Sequence, residues 1–139
     1  MNNPGTGNAL NAYRSVDVYG GVEAADGPRL IQLLLVGAVA AIQAAGAHLG
    51  RGDLPAKARE LSRAVNIVDT LRANLDHDQG GEIAANLEQL YDYVARRLTL
   101  ANARNDAAML EESMGLLSQI RDAWSAMDEH TPVAVAAAR

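Results

Sequence analysis

The chain has no cysteine and no phenylalanine, and only one tryptophan and four tyrosines in 139 residues. Without cysteine there are no disulfides, no thiolate nucleophile and no cysteine-ligated zinc. The three histidines, His48, His77 and His130, are isolated from one another, and none has a partner at metal-ligand spacing. No metal and no cofactor are therefore expected. Basic residues are in the minority, 12 against 17 acidic, giving a net charge of −5. That leaves no basic stripe for a nucleic acid, and none is expected as a partner. The opening residues "MNNPGTGNAL" lack the basic start and apolar run of a secretory signal, so no such signal is expected. No segment alternates apolar and polar over a useful length, which argues against a sheet.

What the chain does have is aliphatic helix formers, with 49% hydrophobic and 21% charged residues, the proportions of a folded soluble domain. The stretch "LIQLLLVGAVAAIQAAGAHLG", residues 30–50, carries no formal charge and is long enough to span a bilayer. Gln32, Gln43 and His48 interrupt it, no aromatic belt flanks it, and Arg29 and Arg51 stand at both ends. A helix buried within a bundle, with no membrane insertion, is the reading we adopt.

Turn signals divide the chain regularly. Asp26-Gly27-Pro28 caps a first long helix, which ends at Gly50-Arg51-Gly52-Asp53. Asp53 and Pro55 open a second, with Leu54, Ala58, Leu61, Val65, Val68, Leu71 and Leu75 at helical spacing. A turn is expected from His77 to Gly81. A third helix follows, carrying Ile83, Leu87, Leu90, Tyr91, Val94, Leu98 and Ala101. Asn105 or Asp106 caps a fourth, with Leu110, Met114, Leu117, Ile120, Trp124 and Met127 facing inward. Short connections make neighbours antiparallel, so the expected fold is all-α: a single-domain antiparallel four-helix bundle over 1–139. Residues 1–25 are expected to form a cap segment on it, a short helix or extended piece, and about 131–139 a loose tail.

Catalytic constellations are missing. "DHDQGGEIAANLE" resembles a calcium loop only faintly, with Gly80 and Leu87 where ligands belong. Glu111 and Glu112 read as a solvated helix face, no acid–base pair emerges, and no enzyme is expected. There is instead excess apolar width. Ala64, Ile67 and Leu71 make a second stripe on the second helix, while Asn86, Leu90, Tyr93, Arg97 and Leu100 line a flank of the third. Such stripes belong either to a wide core or to a surface covered by the N-terminal segment, a second copy or a partner. Asp92 and Arg96 form an i,i+4 pair, and Tyr93 and Arg97 can stack. A helical binding module and a self-associating structural or adaptor protein both remain open.

The stretch "LDHDQGGEIAANLEQLYDYVARRLTLANARND", Leu75 to Asp106, resembles the signature of the flagellar secretion chaperone family, FliS, in its LD, GGEIA, NL, LYDY, RRL and AN..ND elements. "GDLPAKARELSRAVNIVDTL" and "LLSQIRDAW" extend the resemblance on either side, over about Leu10 to Met127. It implies a cytosolic helical chaperone that binds the disordered C-terminal region of flagellin, prevents its premature polymerisation and delivers it to the flagellar type III export gate. The groove expected to hold the client comprises Ile67, Leu71, Asn86, Leu90, Tyr93 and Arg97. Leu10 and Tyr13 match the family's N-terminal segment and are expected to act as its cap, with a homodimer possible in the client's absence. Two departures stand out: Ala24-Ala25-Asp26-Gly27-Pro28 at the first helix start, and Leu34-Leu35-Val36-Gly37 where leucine-tyrosine-aspartate-glycine is common.

Overall fold

The structure, a computed structural model, describes the backbone of residues 27–138 and the side chains of residues 27–127. The cap expected from Asp26 and the segment containing Leu10 and Tyr13 lie outside the described residues. Helices α1 (Gly27–Gly50), α2 (Leu54–Ala73), α3 (His77–Arg104) and α4 (Ala107–Ala138) follow one another, with no strand among the described residues. Each packs against its sequence neighbours, and α4 returns to α1. The short links reverse direction each time, so the four stand in a square, alternately up and down.

Aspartates write the starts. Asp53 accepts from the Ala56 amide at 3.2 Å, Asp76 from Gln79 at 3.0 Å and Asp106 from Met109 at 3.2 Å, each satisfying an amide that has no partner within its helix. Asp106 is thus the cap of α4, while Asn105 takes the left-handed conformation (φ 52°) that ends α3. Lys57, only 4% exposed, fastens that end: its ammonium donates to the Asn102 carbonyl and to Asn105 Oδ1. A buried cation with two acceptors at a helix C-terminus is favourably placed.

The turn expected at 77–81 is instead helical from His77 and breaks at Gly81 (φ 52°, ψ −123°), a conformation open in practice only to glycine. Its neighbour Gly80 is glycine for another reason: a Cβ there would come within 2.8 Å of the Ala84 Cβ. Paired glycines thus give one residue to conformation and one to close approach.

The core gathers Leu34, Leu35, Ile42, Leu61, Ile67, Val68, Leu71, Tyr91, Val94, Leu98 and Leu117, all at most 2% exposed. Three positions depart from the expected apolar faces: Leu54 is 42% exposed, Ile83 72% and Met127 58%. Leu54 and Ile83 sit in the first turns after a loop and a break, where the helix has only begun to enter the bundle. α1 is long and apolar enough to cross a membrane, and half of its apolar window is buried against the other helices. Helix α4 runs on to Ala138, through the stretch that the sequence suggests as a tail.

Candidate functional site

The apolar width expected on α2 and α3 has two different outcomes. Ile67 is 0% exposed and Leu71 2%, so neither lines a surface groove in this state. The reason is the square arrangement: α2 lies between α1 and α3 and needs a broad apolar arc to face both. On α3 the flank is only half covered. Leu90 and Tyr93 are partly buried against the core, Arg97 is half-buried, and Asn86 is exposed. This flank faces α4, whose Leu116, Ile120 and Trp124 are likewise only partly buried. The α3–α4 pair is the least closely packed of the four neighbouring pairs. The seam therefore brings together Asn86, Leu90, Tyr93 and Arg97 and leaves Ile67 and Leu71 beneath, in the core.

A polar clasp closes part of the seam. The Tyr93 hydroxyl donates to Glu112 Oε2 at 2.6 Å, and Arg97 Nε donates to Glu112 Oε1 at 2.9 Å. The Arg97 guanidinium also lies 5.7 Å from the Tyr93 ring centroid, near enough for a cation–π contact. The bond from Tyr93, then that from Arg97 and its charge, hold the Glu112 carboxyl below its usual range; the same tyrosine bond raises the Tyr93 phenol. At neutral pH the clasp is one carboxylate receiving two donors, a joint rather than an acid–base pair. Glu112 is absent from the expected site because its partners lie on another helix; acidic residues on a predicted outer face give no sign of such a bond.

The opposite flank of α3 is ionic. Arg72 on α2 reaches Glu88 at 3.6 Å and Asp92 at 3.3 Å, His77 reaches Glu88 at 3.0 Å, and the expected Asp92–Arg96 pair forms at 3.1 Å. Burial raises the Asp69 carboxyl nearby, with Arg72 pulling the other way and Asp92 reinforcing the rise. Among the described residues, no group of three His, Asp or Glu side chains is arranged to hold a metal ion. The geometry is that of a partly covered apolar seam with a polar clasp.

Comparison with known proteins identifies the family. The family described as "Flagellar protein FliS" matches residues 9–131. The flagellar secretion chaperone FliS of Salmonella typhimurium is 48% identical over 120 residues, 86% of this chain and 89% of that protein. Its counterpart in Vibrio cholerae is 35% identical over 84% of this chain and 85% of its own length. FliSB of Pseudomonas aeruginosa is 36% identical over 84% and 92%. Family match, relatives and helical architecture coincide over nearly the same span, and this chain belongs to the FliS family of flagellar secretion chaperones, which are not enzymes.

Proposed function

We propose that the protein is a cytoplasmic chaperone for flagellin: it binds the disordered C-terminal region of that client, keeps it from polymerising, and presents it to components of the flagellar export gate. Membership of a family of flagellar secretion chaperones is the observation that carries this reading. The half-covered α3–α4 seam supports it, because a disordered client can fold amphipathic turns into an apolar groove. Asn86, Leu90, Tyr93 and Arg97 form the accessible part of the proposed groove. Ile67 and Leu71 join it only if α4 moves aside on binding.

Leu10 and Tyr13 complete the proposal as a cap that competes with the client for the seam. The test mixes the full chain with a flagellin C-terminal peptide and follows binding by titration and light scattering, alongside flagellin polymerisation. A soluble complex with one peptide per chain, and suppressed polymerisation, is expected. Undetectable binding with unaltered polymerisation would end the proposal. Replacing Leu10 and Tyr13 by alanine should leave peptide affinity equal or higher, because the competent fraction rises. A marked loss of affinity with an unchanged melt would make them direct client contacts and remove the cap.

A further inference from the structure

The α3–α4 seam is not uniform along its length. Leu90 on α3 and Leu116, Ile120 and Trp124 on α4 make its apolar stretch, toward the start of α3. Toward the end of α3 it closes at Arg97 and Glu112, with the Tyr93 hydroxyl on the same carboxylate. Leu90 and Arg97 lie roughly 10 Å apart along the helix at 1.5 Å per residue. A groove that is apolar along its length and cationic at one end has a direction.

The clasp leaves donors to spare. Arg97 gives only its Nε to Glu112, and among the described residues its two Nη groups have no partner. A guanidinium presents a fork that matches a carboxylate with two parallel bonds. Arg104 stands two turns further along the same side of α3, exposed, and makes no hydrogen bond or ion pair among the described residues. The Glu112 carboxylate itself is held at the surface: its side chain is 39% exposed and that of Arg97 31%. An ion pair so exposed adds little to stability, so another carboxylate can take its place at small cost.

We infer that Arg97 and Tyr93 receive the client's terminal α-carboxylate, with Glu112 standing in for it when no client is bound. The inference rests on the reading that this seam holds a client's C-terminal region. Such a region necessarily ends in a carboxylate, and its last apolar side chains would fill the stretch lined by Leu90, Leu116 and Ile120. The client chain then runs parallel to α3 and stops at the clasp. Where it lies there as a helix, its final carbonyls also lack partners, and cations at that end satisfy them.

Other occupants fit less well. The chain's own terminus is out of reach, because α4 runs away from the clasp to Ala138, roughly 40 Å beyond Glu112 at 1.5 Å per residue. An inorganic anion would use the donors but leave the apolar stretch beside them empty. An internal acidic side chain of the client would use both. Its backbone would then have to continue across the Arg97–Glu112 pair, where the groove is closed.

Calorimetric titration of the full chain with three forms of the flagellin C-terminal peptide tests the inference: the free acid, the C-terminal carboxamide, and the free acid extended by two glycines. The free acid should bind about tenfold more tightly than the carboxamide, as for a charge-assisted pair. The extended form should lose most of that advantage, because its carboxylate no longer stops at the clasp. Arg97→Gln should bring acid and amide within about twofold of each other, with a melt close to that of the parent. Arg97→Lys should restore part of the gap by charge alone. Glu112→Gln, which removes the competing anion, should strengthen the free acid more than the amide. Equal binding of acid and amide by the unaltered chain would overturn the inference and leave the chaperone reading standing. So would a gap that survives Arg97→Gln in a folded protein. Failure of every peptide to bind would instead end the proposed function, and this inference with it.

Discussion

Tyr91 and Tyr93 stand two residues apart on α3 and live in opposite conditions. Tyr91 is 1% exposed, and burial alone pushes its phenol up to about 12. Tyr93 lies on the α4 side, half-covered, and is held by a carboxylate on that helix. Its seam is loose, and α4 brings to its own buried side Ser113, 0% exposed, whose hydroxyl has no partner. The flank of α3 toward α2 joins by charges, by core packing and by the Lys57 fastening. One helix thus has a permanent side and a negotiable side, and an aromatic ring with a polar tip suits the second.

The largest expected effect breaks the permanent side. Tyr91→Ala should cost about 3–5 kcal/mol, the range for truncating a buried aromatic, and denaturant titration reads it directly. A loss below about 1 kcal/mol would contradict the burial that separates the two tyrosines. Next is alkaline sensitivity. Because the folded Tyr91 phenol is raised from 10.0 to about 12, its contribution is fully present below pH 10 and is lost as pH rises toward 12. That loss amounts to roughly 3 kcal/mol by linkage. Tyr91→Phe should remove this part of the pH dependence, and matched denaturant titrations at neutral and alkaline pH would reveal it.

On the negotiable side, effects move from stability to affinity. Tyr93→Ala should leave the melt nearly unchanged but weaken client peptide binding about tenfold, as for an aromatic anchor. Glu112→Gln should loosen the clasp with an equally small change in the melt. Isothermal titration on both variants sharpens the contrast: a collapse of the fold in Tyr93→Ala would erase the distinction from Tyr91. Smallest is a gain. Ser113→Ala removes a buried hydroxyl without a partner and should add about 1 kcal/mol, seen as a raised melting temperature.

Much of this was legible in the residues. Asp53 and Asp106 with the apolar spacing announce the helix starts, and short links dictate the up-and-down order, because capping and periodicity are local properties. Tyr91 as core followed from its position one turn beyond Leu87. What spacing could not decide was the purpose of the second stripes. A helix with two neighbours and a helix with a client both need a wide apolar arc, and Ile67 and Tyr93 look alike on that criterion. The register of the helices decides only that Ile67 is covered and Tyr93 half-covered, and register depends on contacts between distant residues. Glu112 went unseen for the same reason. The exposure of Ile83 follows from the break at Gly81, whose positive φ re-aims the start of the helix in a way that the letters GG only permit.

The Lys57 fastening has a consequence for the order of assembly. It ties the start of α2 to the end of α3, residues 48 positions apart at most, using nothing from α4. The α2–α3 hairpin can therefore close its far end without waiting for α4 to dock. Helix α4 would be the last to dock and the first to detach, a separate cooperative unit on an otherwise settled scaffold. Amide hydrogens in α4 should then exchange by a lower-energy opening than those in α2. Equal protection in the two helices would show that the bundle opens only as a whole.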